Sequence, residues 1–307
     1  MLDPQLLYIL AAYSAVLITA ILLGGQLPHW VTLTHTRMQL VMSFVSGLML
    51  GIAIFHLLPH AIYTIDSTNG VEIVARWTMG GLLLMFLLLR VFHFHHHDIA
   101  EDAHDAQCVE HPHDSRSNAI NSTAVGIKTS WLGIALGLTI HTMIDGVALA
   151  ASMQADFMLK NDLSHSTLLL GLGVFLAILF HKPLDALTIS AMMSRGNVTT
   201  FQKRIILLGF ALICPLSALV VLWGFDFVAH GDGLFVGSAL AFSAGIFLCI
   251  SLSDLLPEVH FHSHDRLSMT VALLLGVGLS LLLINLESDY THVSVEPVTS
   301  SSHHVSH

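Results

Sequence analysis

The chain has 307 residues, of which 54% are apolar and only 10% are charged. Soluble domains carry about one quarter charged residues, so this composition excludes an ordinary soluble protein. The formal net charge of −10 argues against a nucleic-acid partner, and the three cysteines form neither a C-x-x-C motif nor a disulfide framework. The chain is therefore predicted to be a polytopic membrane protein.

Eight apolar stretches are long enough to cross a bilayer as helices, which requires about 20 residues each. The first stretch has no basic leader and is too long for a cleaved signal, so it is predicted to be retained as a helix. The expected fold class is all-α, a polytopic membrane protein with eight transmembrane helices. Numbered as spans 1 to 8, the stretches lie at residues 6–27, 38–62, 71–93, 130–153, 166–193, 204–226, 234–258 and 268–286.

The basic residues between the spans predict the orientation of the chain. With the N-terminus outside, eight Lys and Arg residues fall in cytosolic loops and only two fall outside. The positive-inside rule therefore predicts that both termini lie outside. The expected location is a bacterial inner membrane, with a eukaryotic plasma or secretory-pathway membrane as the alternative.

The spans divide the chain into five predicted regions. Spans 1–3 occupy residues 1–93, spans 4–5 occupy 130–193 and spans 6–8 occupy 194–286. The acidic, histidine-rich loop at 94–129 and the tail at 287–307 cannot bury enough apolar surface to fold, so both are expected to be disordered. For the loop, metal capture, regulation and simple polar filler all remain open.

Two polar pairs interrupt the apolar runs of spans 4 and 5. The motif HTMIDG places His141 four residues before Asp145, and HKPLDA places His181 four residues before Asp185. Residues four apart lie on one face of a helix, so two facing helices would bring two imidazoles and two carboxylates together. Such a set suits Zn²⁺, Fe²⁺ or Mn²⁺. A single pair could simply hydrogen-bond a neighbouring helix, but repeated ionisable pairs within a membrane favour an ion pathway.

Spans 2 and 7 carry a second set of matching pairs. FHLLPHA holds His56 and His60, and SDLLPEVH holds Asp254 and Glu258, each pair being four residues apart around a shared L-L-P. Weak internal symmetry of this kind is typical of transporters that are built from repeats. The prolines beside these pairs predict irregular backbone, which is tolerated at membrane depth where it lines a cavity.

Lys182 lies in the middle of span 5, far from either end. An ammonium at this depth needs a counter-charge. We therefore expect Lys182 to pair with Asp145 or Asp185.

At these residues the sequence resembles the ZIP (Zrt/Irt-like) family of divalent metal transporters, and the branch with His-Lys in span 5 is the most similar. The resemblance rests on HTMIDGVALAAS, HKPLDA, FHLLPHA and DLLPEV, together with eight spans and a histidine-rich loop after span 3. It implies an inverted repeat of spans 1–3 and 6–8 around spans 4–5, Zn²⁺ influx toward the cytosol, and homodimers. It also implies that His141, Asp145, His181 and Asp185 form the metal site.

The sequence departs from the commonest family pattern at Thr142 and Lys182, where many members carry ligands for a second metal ion. The stretch LLGFALICPLSALVVLWGF of span 6 (207–225) also lacks a carboxylate that could bridge two ions. The expectation is a site for one ion, in which the Lys182 ammonium replaces the second cation beside Thr142.

The expected mechanism is alternating access, with no cofactor and a divalent ion as the substrate: Zn²⁺ first, with Fe²⁺, Mn²⁺ or Cd²⁺ possible. His56, His60, Asp254 and Glu258 would be ligands along the route. Six further histidines would pass ions to the cytosol: His260, His262, His264, His95, His96 and His97. For the first three, a solvated loop is an equally good explanation.

Two alternatives come from other classes. A membrane-embedded zinc hydrolase would need an open metal position and an acid/base partner such as Glu258 or Asp254, but no H-E-x-x-H motif occurs. A metal-sensing receptor or scaffold would signal through the loop. The chain is predicted not to be an enzyme.

Overall fold

Long helices account for nearly all of the described chain. The computed structural model describes residues 3–26, 35–92, 123–160, 170–195, 199–228, 233–261 and 266–288, and these segments contain no β-strand. The helix bounds for spans 1 to 8 are Pro4–Gly24, His35–Ile65, Gly70–Phe92, Thr123–Lys160, Leu172–Arg195, Thr200–Val228, Gly233–Phe261 and Arg266–Ser288.

The prediction of an all-α chain with eight membrane-spanning helices is confirmed, because eight helices are long and apolar enough to cross a bilayer. The largest difference is in span 4, whose helix begins at Thr123 and ends at Lys160 rather than covering 130–153. Hydropathy detects only the apolar middle of a helix, whereas the polar turns at its two ends are equally helical. Of the stretches expected to be disordered, 94–129 and 287–307, the parts at 123–129 and 287–288 are helical. The remaining residues of both stretches lie outside the described part of the chain.

The contacts between the spans show an internal two-fold symmetry. Span 2 packs on span 8 and span 3 packs on span 7, while span 4 packs on span 6 and span 5 packs on span 1. Exchanging 1 with 6, 2 with 7, 3 with 8 and 4 with 5 leaves this set of contacts unchanged. Spans 1 and 6 are five crossings apart, and an odd number reverses the direction of a helix. The repeat is therefore inverted.

The buried fraction of the spans follows the same two-fold symmetry. The buried share of the apolar window is 33% in spans 1 and 6, 61% in spans 2 and 7, and 17% in spans 3 and 8. Span 4 is the most buried, at 72%. Burial is equal in three of the four exchanged pairs, which supports the inverted repeat, and differs between span 4 at 72% and span 5 at 61%. The high burial of span 4 places its polar side chains inside the protein rather than against lipid.

The spans form two groups. The transport group consists of spans 1, 4, 5 and 6, and the framework group consists of spans 2, 3, 7 and 8, with the most extensive helix contacts inside each group. One buried apolar cluster is made only of transport-group residues, including Ile21, Leu138, Ile189 and Phe210. The larger apolar cluster contains residues of both groups, such as Leu149 of span 4 and Leu48 of span 2.

Glycines allow the close approach of the paired helices. A Cβ on Gly81 of span 3 would collide with the backbone of Phe242 in span 7, and one on Gly24 of span 1 would lie 2.6 Å from the Cα of Pro183 in span 5. Within lipid, helices associate through close packing rather than through the hydrophobic effect. Small residues are therefore favoured where two membrane helices meet.

Span 2 is irregular where it carries its polar pair. An α-helix ends at Ile52, a π-helical turn covers Ala53–Leu57, and an α-helix resumes at Leu58. Pro59 lacks an N–H and so cannot donate to the carbonyl one turn earlier, which favours the wider π turn just before it. His56 lies in this turn and is buried.

Candidate metal site

Spans 4 and 5 bring four polar side chains together, which we call the central cluster: His141, Asp145, His181 and Asp185. Each span presents its histidine and aspartate on the same helical face, as the spacing of four predicts. All four residues are less than 9% exposed, and Asp145 is fully buried. The site faces the framework group, because the His181 ring packs edge-on against Phe247 of span 7 at 6.3 Å.

The separations within the central cluster match those of ligands around one metal ion. Nε2 of His141 lies 3.4 Å from Oδ2 of Asp145 and 3.7 Å from Oδ2 of Asp185. Nε2 of His181 lies 3.4 Å from Oδ2 of Asp145. A tetrahedral zinc site with bonds of 2.0–2.1 Å has ligand–ligand edges of about 3.3–3.4 Å. Ligand atoms of His141, Asp145 and His181 all lie within 4.8 Å of one another, and the two 3.4 Å contacts are close to the zinc edge length. Asp185 lies outside this group of three and adjoins it through its 3.7 Å contact with His141.

The hydrogen bond at His181 leaves the metal-binding nitrogen available. Nδ1 of His181 donates to the carbonyl of Ala177 at 2.7 Å, because a carbonyl can only accept. In the neutral ring Nε2 then carries a lone pair that faces the Asp145 carboxylate. A histidine that binds metal usually donates its other ring N–H to a carbonyl or carboxylate in this way.

Two atoms of the central cluster have unused hydrogen-bonding capacity. Among the described residues, Oδ1 of Asp145 and Nδ1 of His141 are buried and have no hydrogen-bond partner. A buried polar atom without a partner costs about 1–3 kcal/mol. A cation bound at Asp145 Oδ1 would remove that cost for the carboxylate.

Lys182 supplies a fixed positive charge to the cluster. Its Nζ lies 2.5 Å from Oδ2 of Asp145 and 3.0 Å from Oδ2 of Asp185, so it contacts both of the carboxylates that the sequence offered as partners. It also donates to the Thr142 hydroxyl at 3.0 Å, and that hydroxyl donates to the Leu138 carbonyl at 2.7 Å. The side chain is completely buried.

The ring of Phe210 in span 6 covers the other side of the ammonium, with its centroid 5.6 Å from Nζ. A cation over an aromatic face is stabilised by the ring quadrupole. Sequence analysis did not find Phe210, because an aromatic residue within an apolar span gives no signal of a polar neighbour. With neutral histidines, the two carboxylates and one ammonium leave the cluster one negative charge, which favours binding of a further cation.

A second cluster joins span 2 to the end of span 4: His56, His60 and Asp156. Ligand atoms from the three residues all lie within 4.8 Å of one another. Nε2 of His60 is 3.3 Å from Oδ1 of Asp156, and the two imidazole rings lie 4.3 Å apart. Sequence analysis missed Asp156, because it ended span 4 at residue 153 and so placed this carboxylate outside the membrane.

None of the other candidate residues contributes a described side chain to either cluster. Asp254, Glu258 and His260 lie on the last two turns of the span 7 helix, and their side chains are outside the described part of the structure. The remaining hand-off candidates are also outside the described residues: His262, His264, His95, His96 and His97.

Comparison with known proteins identifies the family of the chain. A family model described as the ZIP zinc transporter matches residues 89–284, which is more than half of the chain. The chain belongs to the ZIP family. It is 25% identical to zinc transporter ZIP9 of Micropogonias undulatus over 82% of this chain and 86% of that protein. It is also 32% identical to zinc transporter ZIP9 of Macaca fascicularis over 48% of this chain and 65% of that protein.

Membership of the ZIP family confirms three predictions. The chain is an integral membrane protein of a family of zinc transporters, and the expectation that it is not an enzyme agrees with relatives that are transporters. The hydrolase alternative is therefore set aside. The relatives come from vertebrates, so a bacterial inner membrane receives no support from them.

Proposed function

We propose that this ZIP protein moves Zn²⁺ toward the cytosol through a site for one ion, held by the central cluster of His141, Asp145, His181 and Asp185. The observation that carries the proposal is the convergence of these four buried side chains from two spans at separations of 3.4–3.7 Å. The same nitrogen and oxygen set also suits Fe²⁺, Mn²⁺ and Cd²⁺. These ions are secondary candidates for transport.

Transport proceeds by alternating access in this proposal. The central cluster belongs to the transport group, and the His181 ring faces Phe247 of the framework group. Sliding of one group against the other would expose the cluster first to one side and then to the other. The framework group carries the ligands along the route: His56 and His60 on span 2, and Asp254 and Glu258 on span 7.

Lys182 makes the site mononuclear. Its ammonium occupies the space between Asp145, Asp185 and Thr142 in which a second cation would otherwise bind. A protein that carries a permanent cation at this position binds one mobile ion instead of two. The remaining negative charge is small enough for that ion to leave, which transport requires.

The proposed orientation has both termini outside. Eight crossings place the two ends on the same side, and the excess of basic residues in the alternate loops favours the cytosol for the other side. The vertebrate origin of the relatives favours a eukaryotic membrane. Association into a homodimer and a hand-off role for the cytosolic histidines complete the proposal.

The test is zinc uptake into liposomes that contain the purified full chain. His141→Ala and Asp185→Ala each remove one ligand, so uptake should fall to the level of protein-free liposomes. The matched control is Thr19→Val on the exposed face of span 1, which removes a hydroxyl bonded only to the Ala15 carbonyl and should leave uptake unchanged. Near-normal uptake by either ligand variant, with normal folding, would end the assignment of the site.

A further inference from the structure

The second cluster lies on the same side of span 4 as the central cluster but nearer to its C-terminal end. Asp156 follows Asp145 by eleven residues, which corresponds to about 16 Å along the helix axis. In the proposed orientation this end faces outward. Asp156 is 2% exposed and His56 is also 2% exposed, whereas the His60 side chain is 24% exposed. A buried pair beside a half-buried histidine can receive an ion from solvent.

The hydrogen bonding of His60 implies that a proton or a metal ion lies between its Nε2 atom and the Asp156 carboxylate. Nδ1 of His60 donates to the carbonyl of His56 at 2.9 Å, so Nε2 is the nitrogen that faces Oδ1 of Asp156 at 3.3 Å. A bare Nε2 lone pair next to a carboxylate oxygen is repulsive. Either a proton or a metal ion between the two atoms removes that repulsion, and His181 shows the same arrangement toward Asp145 in the central cluster.

One face of span 4 connects the two clusters. Ala148 and Ser152 lie between Asp145 and Asp156 at helical spacings of three or four, and both are buried. They are small, and the Ser152 hydroxyl lies 3.4 Å from Nε2 of His56. The side of His56 that faces span 5 meets Gly173, where an added Cβ would be 3.5 Å from the imidazole. Small, buried residues therefore separate the two clusters on this face of span 4.

We propose that His56, His60 and Asp156 form a second divalent-cation site, which loads the central cluster from the outer side. Two imidazoles and one carboxylate are a set that Zn²⁺ and Fe²⁺ both accept, and three protein ligands leave a coordination position open for water or for the next ligand. An ion held by three ligands is released more readily than one held by four. The loading role rests on the proposed transport function, whereas the binding of an ion at this site does not.

Asp156 also has a structural contact that the test must preserve. Its Oδ2 accepts the N–H of Gly171 at 2.7 Å, and Gly171 has a φ of +69° at the turn that begins span 5. Asp156→Asn keeps a carbonyl oxygen for this N–H and removes only the charge. His60→Gln leaves the contact between Asp156 and Gly171 in place, so it serves as the second variant if Asp156→Asn does not fold.

The binding test counts Zn²⁺ per chain at equilibrium in the purified full chain. The parent is the double variant His141→Ala with His181→Ala, which disables the central cluster but keeps Lys182 between its two carboxylates. Adding His60→Gln or Asp156→Asn to this parent should remove one further zinc per chain. Counting the difference between variants cancels any zinc held by the histidine-rich loop and tail.

The loading test measures zinc uptake with the central cluster intact. Loss of a partner that only supports a metal ligand already lowers metal affinity by about 10- to 100-fold, so loss of the ligand His60 in His60→Gln should raise the half-saturating zinc concentration by at least about 10-fold. The maximal rate should persist at high zinc. Asp66→Asn is the matched control, because it removes an exposed outer carboxylate at a residue with φ of +38°, which asparagine also adopts.

The two proposals fail in different ways. An unchanged zinc count overturns the second site, and a half-saturating concentration equal to that of Asp66→Asn overturns its loading role, while uptake by the unmodified chain still supports transport. No uptake by the unmodified chain overturns the proposed function, and the zinc count then decides the second site by itself.

Discussion

Replacing Lys182 by methionine removes the only ammonium in the central cluster while keeping a long apolar side chain. Nζ contacts Asp145 at 2.5 Å and Asp185 at 3.0 Å, and all three groups are inside the protein. Removing one partner of a buried ion pair costs about 3–5 kcal/mol, because the remaining charge stays buried without compensation. Without metal, Lys182→Met should therefore be markedly less stable than the natural chain.

Zinc should restore the stability that Lys182→Met loses. In the variant the two carboxylates carry a formal charge of −2, which one Zn²⁺ neutralises completely. If binding recovers about 3–5 kcal/mol, zinc affinity rises by a factor of about 100 to 4,000, since 1.4 kcal/mol corresponds to tenfold. An ion held so much more tightly leaves slowly, so maximal uptake should decrease.

The assay is thermal unfolding of the purified protein with EDTA and then with zinc, together with titration of zinc binding. A loss of 3–5 kcal/mol lowers the unfolding temperature by about 10 °C in a chain of this size. Arg76→Met is the matched control, because it removes an exposed cation paired with Glu72 and should cost less than about 1 kcal/mol. If Lys182→Met unfolds with EDTA at the natural temperature, or if zinc stabilises both forms equally, the ammonium does not compensate the two carboxylates.

Three further predictions follow from the same geometry. Lys182→Glu should permit a second ion, so zinc bound per chain should rise by one relative to the natural chain; an unchanged count would contradict the role of Lys182 as a substitute cation. Gly146→Val should lower the yield of folded protein and its unfolding temperature, because a Cβ there would lie 2.5 Å from the Cys214 carbonyl oxygen, whereas Gly80→Ala, with nothing within 4 Å, should not. Equal stability of the two variants would show that spans 4 and 6 tolerate separation. Removal of residues 96–120 should leave zinc uptake in liposomes intact, and loss of uptake with normal folding would instead favour a receptor or scaffold that works through the loop.

Helical periodicity explains why much of the central cluster could be predicted from the sequence. Residues four apart share a face in any helix, so His141 with Asp145 and His181 with Asp185 needed no tertiary information. The need of Lys182 for a counter-charge followed from its depth alone. The convergence of the two pairs depends on how span 4 faces span 5, which the sequence suggested only through its family resemblance.

The second cluster shows what the sequence could not supply. The sequence placed Asp156 beyond span 4, because the apolar signal ends several residues before the helix does. His56 was paired in sequence with His60, but nothing local indicated that a π turn in span 2 would direct them toward another span. Phe210 was equally hidden, because its contact with Lys182 exists only after spans 5 and 6 pack together.

The central claim is that imidazole and carboxylate groups from spans 4 and 5 hold one zinc ion. X-ray absorption at the zinc edge tests it most directly. The spectrum of a variant carrying His60→Gln, His141→Ala and His181→Ala is subtracted from the spectrum of the His60→Gln variant. The site that is lost should contain only nitrogen and oxygen ligands at about 2.0–2.2 Å, including two imidazoles. A lost site with a sulfur ligand at about 2.3 Å, or no difference between the two proteins, would contradict the account.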